Sequence, residues 1–151
     1  VSGLTWSEAQ AYVDWLERGG KRPGARLCSE REWERAARGA DDRQFPHGDS
    51  LSIGDANFGT QQAGVELAPS VIGSYPISES PFGVMDMAGS VVEWVSSYDD
   101  SSNKVTRGGG YLFEKSSAAI ANRAPLDPNL RAVKAGIRVC ATPQPGTASG
   151  M

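Results

Sequence analysis

The chain has 151 residues, 39% hydrophobic and 22% charged, enough for one globular domain with a sizeable core. A formal net charge of −3 gives no electrostatic footprint for nucleic acid. The apolar runs are only a few residues long, too short to cross a bilayer, and the opening VSGLTWSEAQ has neither the basic nor the apolar region of a signal peptide.

The first predicted element is a helix. Thr5 and Glu8 have the spacing of a capping box, and Ala9, Tyr12, Val13 and Leu16 follow at i, i+3, i+4 and i+7, one apolar face. Gly19 and Gly20 end it. Ser29 and Glu32 repeat the device ahead of Trp33, Ala36 and Ala37, and Gly39 closes the second helix. From residue 40 to 104 the helical period is lost among Gly, Pro, Ser, Asp and Asn, which predicts a long irregular region. Its backbone groups need partners other than long ladders. KVTRGGGYLF (104–113) and AGIRVCA (135–141) have strand composition. PQPGTASGM (143–151) reads as a disordered tail, which leaves 1–142 as a single domain without internal repeats.

Cys28 and Cys140 are the two cysteines and His47 the one histidine. No CxxC or HxxxH spacing is present, so no zinc motif exists. Two readings of the cysteines stand. A Cys28–Cys140 disulfide would favour an extracytoplasmic, oxidising compartment; two buried thiols would not. His47, in FPHGD, reads as a residue packed beside a turn.

Several motifs occur in a fixed order: VSGLTWSEAQAYVDWL, ARLCSEREWERAARG, FPHGD, FGVMDMAGSVVEWV, RGGGY and GIRV. Over about residues 1 to 141 this order resembles the formylglycine-generating enzyme family, also called sulfatase-modifying factor domains. The resemblance implies an α+β, C-type-lectin-like fold with two helices, a small twisted antiparallel sheet and much irregular structure. It also implies N-terminal strands ahead of a segment such as VSGLTW. Such strands would have to be completed here by further residues or by a partner chain, because an unpaired sheet edge is a liability.

The activity that defines the family needs two redox cysteines shortly after its R-G-G-S-W pattern. Those positions fall here at Phe113 and Ala118, and neither side chain can bind a soft metal or exchange electrons. Sulfoxide-forming relatives hold a non-haem iron through histidines of another domain, and the one histidine here cannot supply that site. The resemblance without the thiols therefore implies a non-catalytic module that binds a protein, small-molecule or carbohydrate ligand. One context is the variable protein of a bacterial diversity-generating retroelement; another is a sensor domain attached to a bacterial kinase or protease. A structural or assembly subunit completed by a partner chain, and an enzyme using other chemistry on this scaffold, are the alternatives.

In DMAGSVVEWV two acids, Asp86 and Glu93, bracket a glycine. By resemblance this segment wraps a calcium ion held by Asp86, the carbonyls of Gly89 and Val91, and Glu93. Calcium takes about six to eight oxygens and accepts carbonyls as readily as acids. The alternative is that Glu93 pairs with an arginine such as Arg107 or Arg138 while Asp86 caps a turn. Ser90 stands where the family pattern has Asn. A second family calcium site would start at Asn57 and Phe58, with only Gln62 or Glu66 to supply its later acid, and is expected to be weak or lost. Tyr111, Phe113, Glu114, Arg123, Asn129 and Arg131 are the candidate ligand-binding residues of the 111–134 segment. Tyr111 and Phe113 would anchor a ligand or pack into the sheet; Arg123 and Arg131 would line the ligand surface or close salt bridges. Trp33 and Trp94 are expected in the core, and Arg107 and Arg138 are expected to tie strands together.

Overall fold

Both predicted capping boxes are present. In the computed structural model, which describes residues 1–59, 67–97 and 104–143, Thr5 caps helix α1, Trp6–Arg18, and Ser29 caps helix α2, Glu30–Arg38. In each, the cap hydroxyl accepts from the backbone N–H three residues on, and that residue's carboxylate accepts from the cap's own N–H. Ala9 and Val13 of α1 are buried, but Tyr12 of the same predicted stripe is half exposed. The stripe is therefore narrower than its apolar spacing implied.

The described residues also form six short strands: β1 (Ala25–Leu27), β2 (Val92–Trp94), β3 (Lys104–Arg107), β4 (Ala124–Leu126), β5 (Ala135–Ile137) and β6 (Val139–Ala141). They form two sheets, β1-β6 and β4-β3-β2-β5. All pairs are antiparallel except β2 with β5. Together with two helices and long irregular connections, this is the C-type-lectin-like α+β arrangement expected.

Two predicted strands are shorter than their composition suggested. The 104–113 strand stops at Arg107, because Gly108 and Gly109 take left-handed φ values of 99° and 67°. The 135–141 strand is broken at Arg138, and its halves belong to different sheets. Among the described residues between 40 and 91, the only helical or strand element is a 3-10 turn at Pro76–Ser78. The predicted tail beyond residue 143 lies outside the described residues. Among the described residues, no helix is long and apolar enough to cross a membrane.

Strand alternation then decides what each face of the larger sheet carries. Val92 and Trp94 point to one face and pack with Ala9, Val13, Leu27 and Ala135 under α1. Glu93 points to the other face, beneath α2, where Trp33, Met87, Val105 and Ile120 form a second cluster. Both indoles are fully buried; truncating either to alanine would cost about 3–5 kcal/mol. The indole N–H of Trp94 donates to the Leu4 carbonyl at 3.0 Å and so fixes the chain entering α1.

Candidate functional site

The 86–93 segment is a tight loop feeding the central strand. Asp86 and Ser90 hold left-handed φ angles of 62° and 67°, which non-glycine residues rarely adopt. Gly89 sits between them because a Cβ there would lie 2.4 Å from the Asn57 carbonyl oxygen. That carbonyl accepts from the Ser90 N–H at 2.7 Å. The side-chain amide of Asn57 donates to the Ala68 carbonyl and to Ser70 Oγ, and the Ser70 N–H donates to Ser90 Oγ. Asn57 and Ser90 thus close two loops onto each other.

Asp86, Gly89, Val91 and Glu93 line one cavity of about 520 Å³, together with Arg138 and a wall that includes Val139. Sequence reasoning placed these four residues on one site, and the fold does bring them together. The two carboxylates are already engaged. Asp86 Oδ2 accepts from the Gly73 N–H at 2.7 Å, so this acid pins the neighbouring loop. Glu93, nearly buried, accepts from Trp33 Nε1 at 2.6 Å and from Arg138 Nε and Nη2 at 2.9 and 2.8 Å.

These residues do not fit a calcium ion well. Three of the roughly four acceptor positions on the Glu93 carboxylate are taken. Arg138 cancels one of the two negative charges. Among the described residues no three His, Cys, Asp or Glu side chains converge on a point, whereas calcium asks for about six to eight oxygens and strengthens with ligand charge. At the second expected site Phe58 is buried, and Gln62 and Glu66 lie outside the described residues.

The positions of the family's redox cysteines hold no thiol. Phe113 is half buried with Lys134 Nζ 4.3 Å from its ring centroid. Ala118 is fully buried in the 3-10 turn Lys115–Ala118. Cys28 and Cys140 are joined to each other by a disulfide and leave no free cysteine.

The candidate ligand residues divide. Tyr111 is buried, so of its two readings packing holds and the exposed anchor does not. The chain turns inward after Gly109, and the Tyr111 N–H donates to the Ser90 carbonyl. Arg123, although half exposed, makes a two-point contact to Glu30 at 2.9 and 3.0 Å. Arg131 pairs with Glu8 and donates to the Gly3 carbonyl. Glu114 and Asn129 are exposed. The segment also exposes Leu112, Leu130 and Val133, three apolar residues that strand and turn patterns did not single out.

Glu30 was missed as well. It reads as an ordinary first-turn acid of α2, yet it is buried, receives Arg123, and lies 3.6 Å from Arg107. Arg107 also donates to Glu34 at 2.7 Å and to the Ile120 carbonyl at 3.0 Å. No periodicity signals this, because the two arginines come from β3 and the loop before β4. His47 packs beside its turn as expected, stacked against Phe45, with Nε2 3.6 Å from Asp55.

Comparison with known proteins agrees with this architecture. The family model described as "Sulfatase-modifying factor enzyme 1-like domain" matches residues 1–143. The serine/threonine-protein kinase pkn1 of Chlamydia pneumoniae is 37% identical over 95 residues, covering 62% of this chain and 13% of the kinase. Hercynine oxygenase of Mycolicibacterium thermoresistibile is 39% identical over 103 residues, covering 64% of this chain and 20% of that enzyme. The chain therefore spans a fifth or less of these two relatives. Among solved structures, Treponema denticola variable protein 1 superposes with a TM-score of 0.79 at 20% identity, over 95% of this chain and 71% of the other.

Proposed function

The chain belongs to the sulfatase-modifying factor enzyme 1-like family, and from that premise we propose that it is a non-catalytic domain that binds a protein or small-molecule ligand. The observation that carries this reading is the chemistry at residues 113 and 118. A phenylalanine and a buried alanine stand where the family's activity needs thiolates, and a thiolate is both the soft metal ligand and the nucleophile. The chain's two cysteine sulfurs are joined in their own bridge.

The binding face is the 111–134 segment, with its centre moved from Tyr111 to the exposed Leu112, Leu130 and Val133 and the polar Glu114 and Asn129. Arg123 and Arg131 hold that segment to α2 and α1 through Glu30 and Glu8, which suits a rigid frame for a recognition surface. Two findings support a binding role: a similar segment occurs within a protein kinase, and the fold is shared with a variable protein.

Two measurements test the proposal. Purified protein incubated in air with a thiol-bearing peptide, with and without copper, is expected to yield no more than the peptide disulfide that the same mixture forms without protein; protein-dependent conversion of the thiol to an aldehyde, with turnover, would overturn the non-catalytic reading. The neighbouring DNA decides between contexts. A kinase or protease domain in the same reading frame would mark a sensor domain. A reverse transcriptase beside a near-copy of the 3′ coding region would mark a diversified binder.

A further inference from the structure

We infer that Arg138 serves as the built-in cation of the 86–93 loop, so that the domain keeps its fold without calcium. This does not rest on the binding role proposed above. It starts from where Arg138 sits. Its backbone is the single residue between β5 and β6, and those strands pair with β2 in one sheet and β1 in the other. Both flanks are clamped, so the guanidinium is delivered to a fixed point.

At that point it performs the tasks of a bound metal. Nε and Nη2 grip both oxygens of Glu93 at 2.9 and 2.8 Å. Nη2 also donates to the Met85 carbonyl at 3.0 Å. One planar cation therefore ties the start of the loop to its end, neutralises the carboxylate, and satisfies a backbone oxygen of an irregular segment. A guanidinium suits this better than an ammonium, because its forked donors reach two acceptors at once.

The surrounding groups are arranged for an internal lock. Trp33 fills a further acceptor position on Glu93. Asp86 is turned toward the Gly73 N–H. Ser90 Oγ accepts from Ser70, and the Asn57 amide is spent on Ala68 and Ser70. Each side chain that a loop cation would recruit is held by a donor or acceptor of the chain itself.

The test uses the whole chain, purified without added metal. Elemental analysis is expected to find well under one calcium per chain, and the melting temperature is expected to be the same in excess chelator and in millimolar calcium. Arg138→Gln is expected to melt roughly 10 °C lower, and Arg138→Lys is expected to recover only part of that loss. About one calcium per parent chain, lost to chelator together with a fall in melting temperature, would overturn the inference. So would an Arg138→Gln protein that melts with the parent. If that variant yields no folded protein, the parent's calcium content and chelator response decide alone.

Discussion

The indole N–H of Trp33 donates to Oε2 of Glu93 at 2.6 Å, joining α2 to the central strand across 60 residues of chain. The bond lies in the interior, where a donor to a charged acceptor is worth about 1.5–3 kcal/mol. Trp33→Phe keeps most of the ring and removes the donor, so it should lower unfolding stability by about that amount. Glu93→Gln should cost more, about 3–5 kcal/mol, because it strands the Arg138 guanidinium. Urea denaturation of the three proteins checks both. A Trp33→Phe loss below about 0.5 kcal/mol would mean that the ring's packing, not its N–H, fixes α2.

Glu30 holds the second charged knot. Arg107 is almost wholly buried, and Glu30 and Glu34 supply the negative charge beside it. Glu30→Gln leaves that guanidinium short of a partner in the interior and should cost about 3–5 kcal/mol. Glu34 is partly exposed, so Glu34→Gln should cost at most about 1 kcal/mol. Because Glu30 also receives Arg123, its loss should raise amide exchange over residues 119–126, while Glu34→Gln leaves that stretch protected.

The helices were legible because their signals are local: a capping hydroxyl, an acid three residues on, an apolar stripe. Motif order, rather than propensity, identified the fold. The strands were less legible. β1 and β4 are three residues each, and their sequences ARL and APL are too short for an alternation to signal a strand. The break of 135–141 at Arg138 depends on two sheets that sequence alone does not separate. At the site, the close spacing of Asp86, Gly89, Val91 and Glu93 places them on one loop, and Arg138 is one of the arginines the sequence offers as a partner for Glu93. For Tyr111 the sequence left anchoring and packing open, because the choice depends on a chain reversal after Gly109; the burial of Glu30 was not legible, since it follows from arginines brought in from distant segments.

Gly89 supports a test of that geometry independent of charge. Its would-be Cβ meets backbone atoms of Asn57, the nearest at 2.4 Å, and backbone cannot step aside as a flexible side chain can. Gly89→Ala should therefore destabilise by about 3 kcal/mol or more. Wild-type stability for the variant would show that the 57 and 89 segments are not in contact.

Glu32 gives the acid limb of the stability profile. Hydrogen bonds from Arg26, together with those from Ser29 at the helix cap, hold its carboxyl down at about 2, below an ordinary value of 4.5. A depressed carboxyl stabilises the fold above its unfolded value and loses that contribution as pH falls through its folded value. The window thus runs from about pH 4.5 down to about 2. The pair is partly exposed, so solvent screening limits the effect to about 1 kcal/mol. Comparing the parent with Glu32→Gln by denaturation should show a stability gap near neutral pH that narrows across that window. A gap independent of pH would assign the contribution to the cap geometry alone.

The disulfide links the residue after β1 to β6, with a sequence separation of 112 between Cys28 and Cys140. Closing a loop of that size restricts the unfolded chain, and removing the bridge should cost about 2–5 kcal/mol. The effect should also reach the 86–93 loop. Cys140 lies in β6, opposite Arg26 of β1, and that pairing clamps the C-terminal flank of Arg138. Reduction should therefore lower the urea midpoint and raise amide exchange at residues 136–141 beyond the rise in the helices. Two titratable thiols in denatured, unreduced protein would show that no bridge forms, and uniform exchange on reduction would show that the bridge does not steady Arg138.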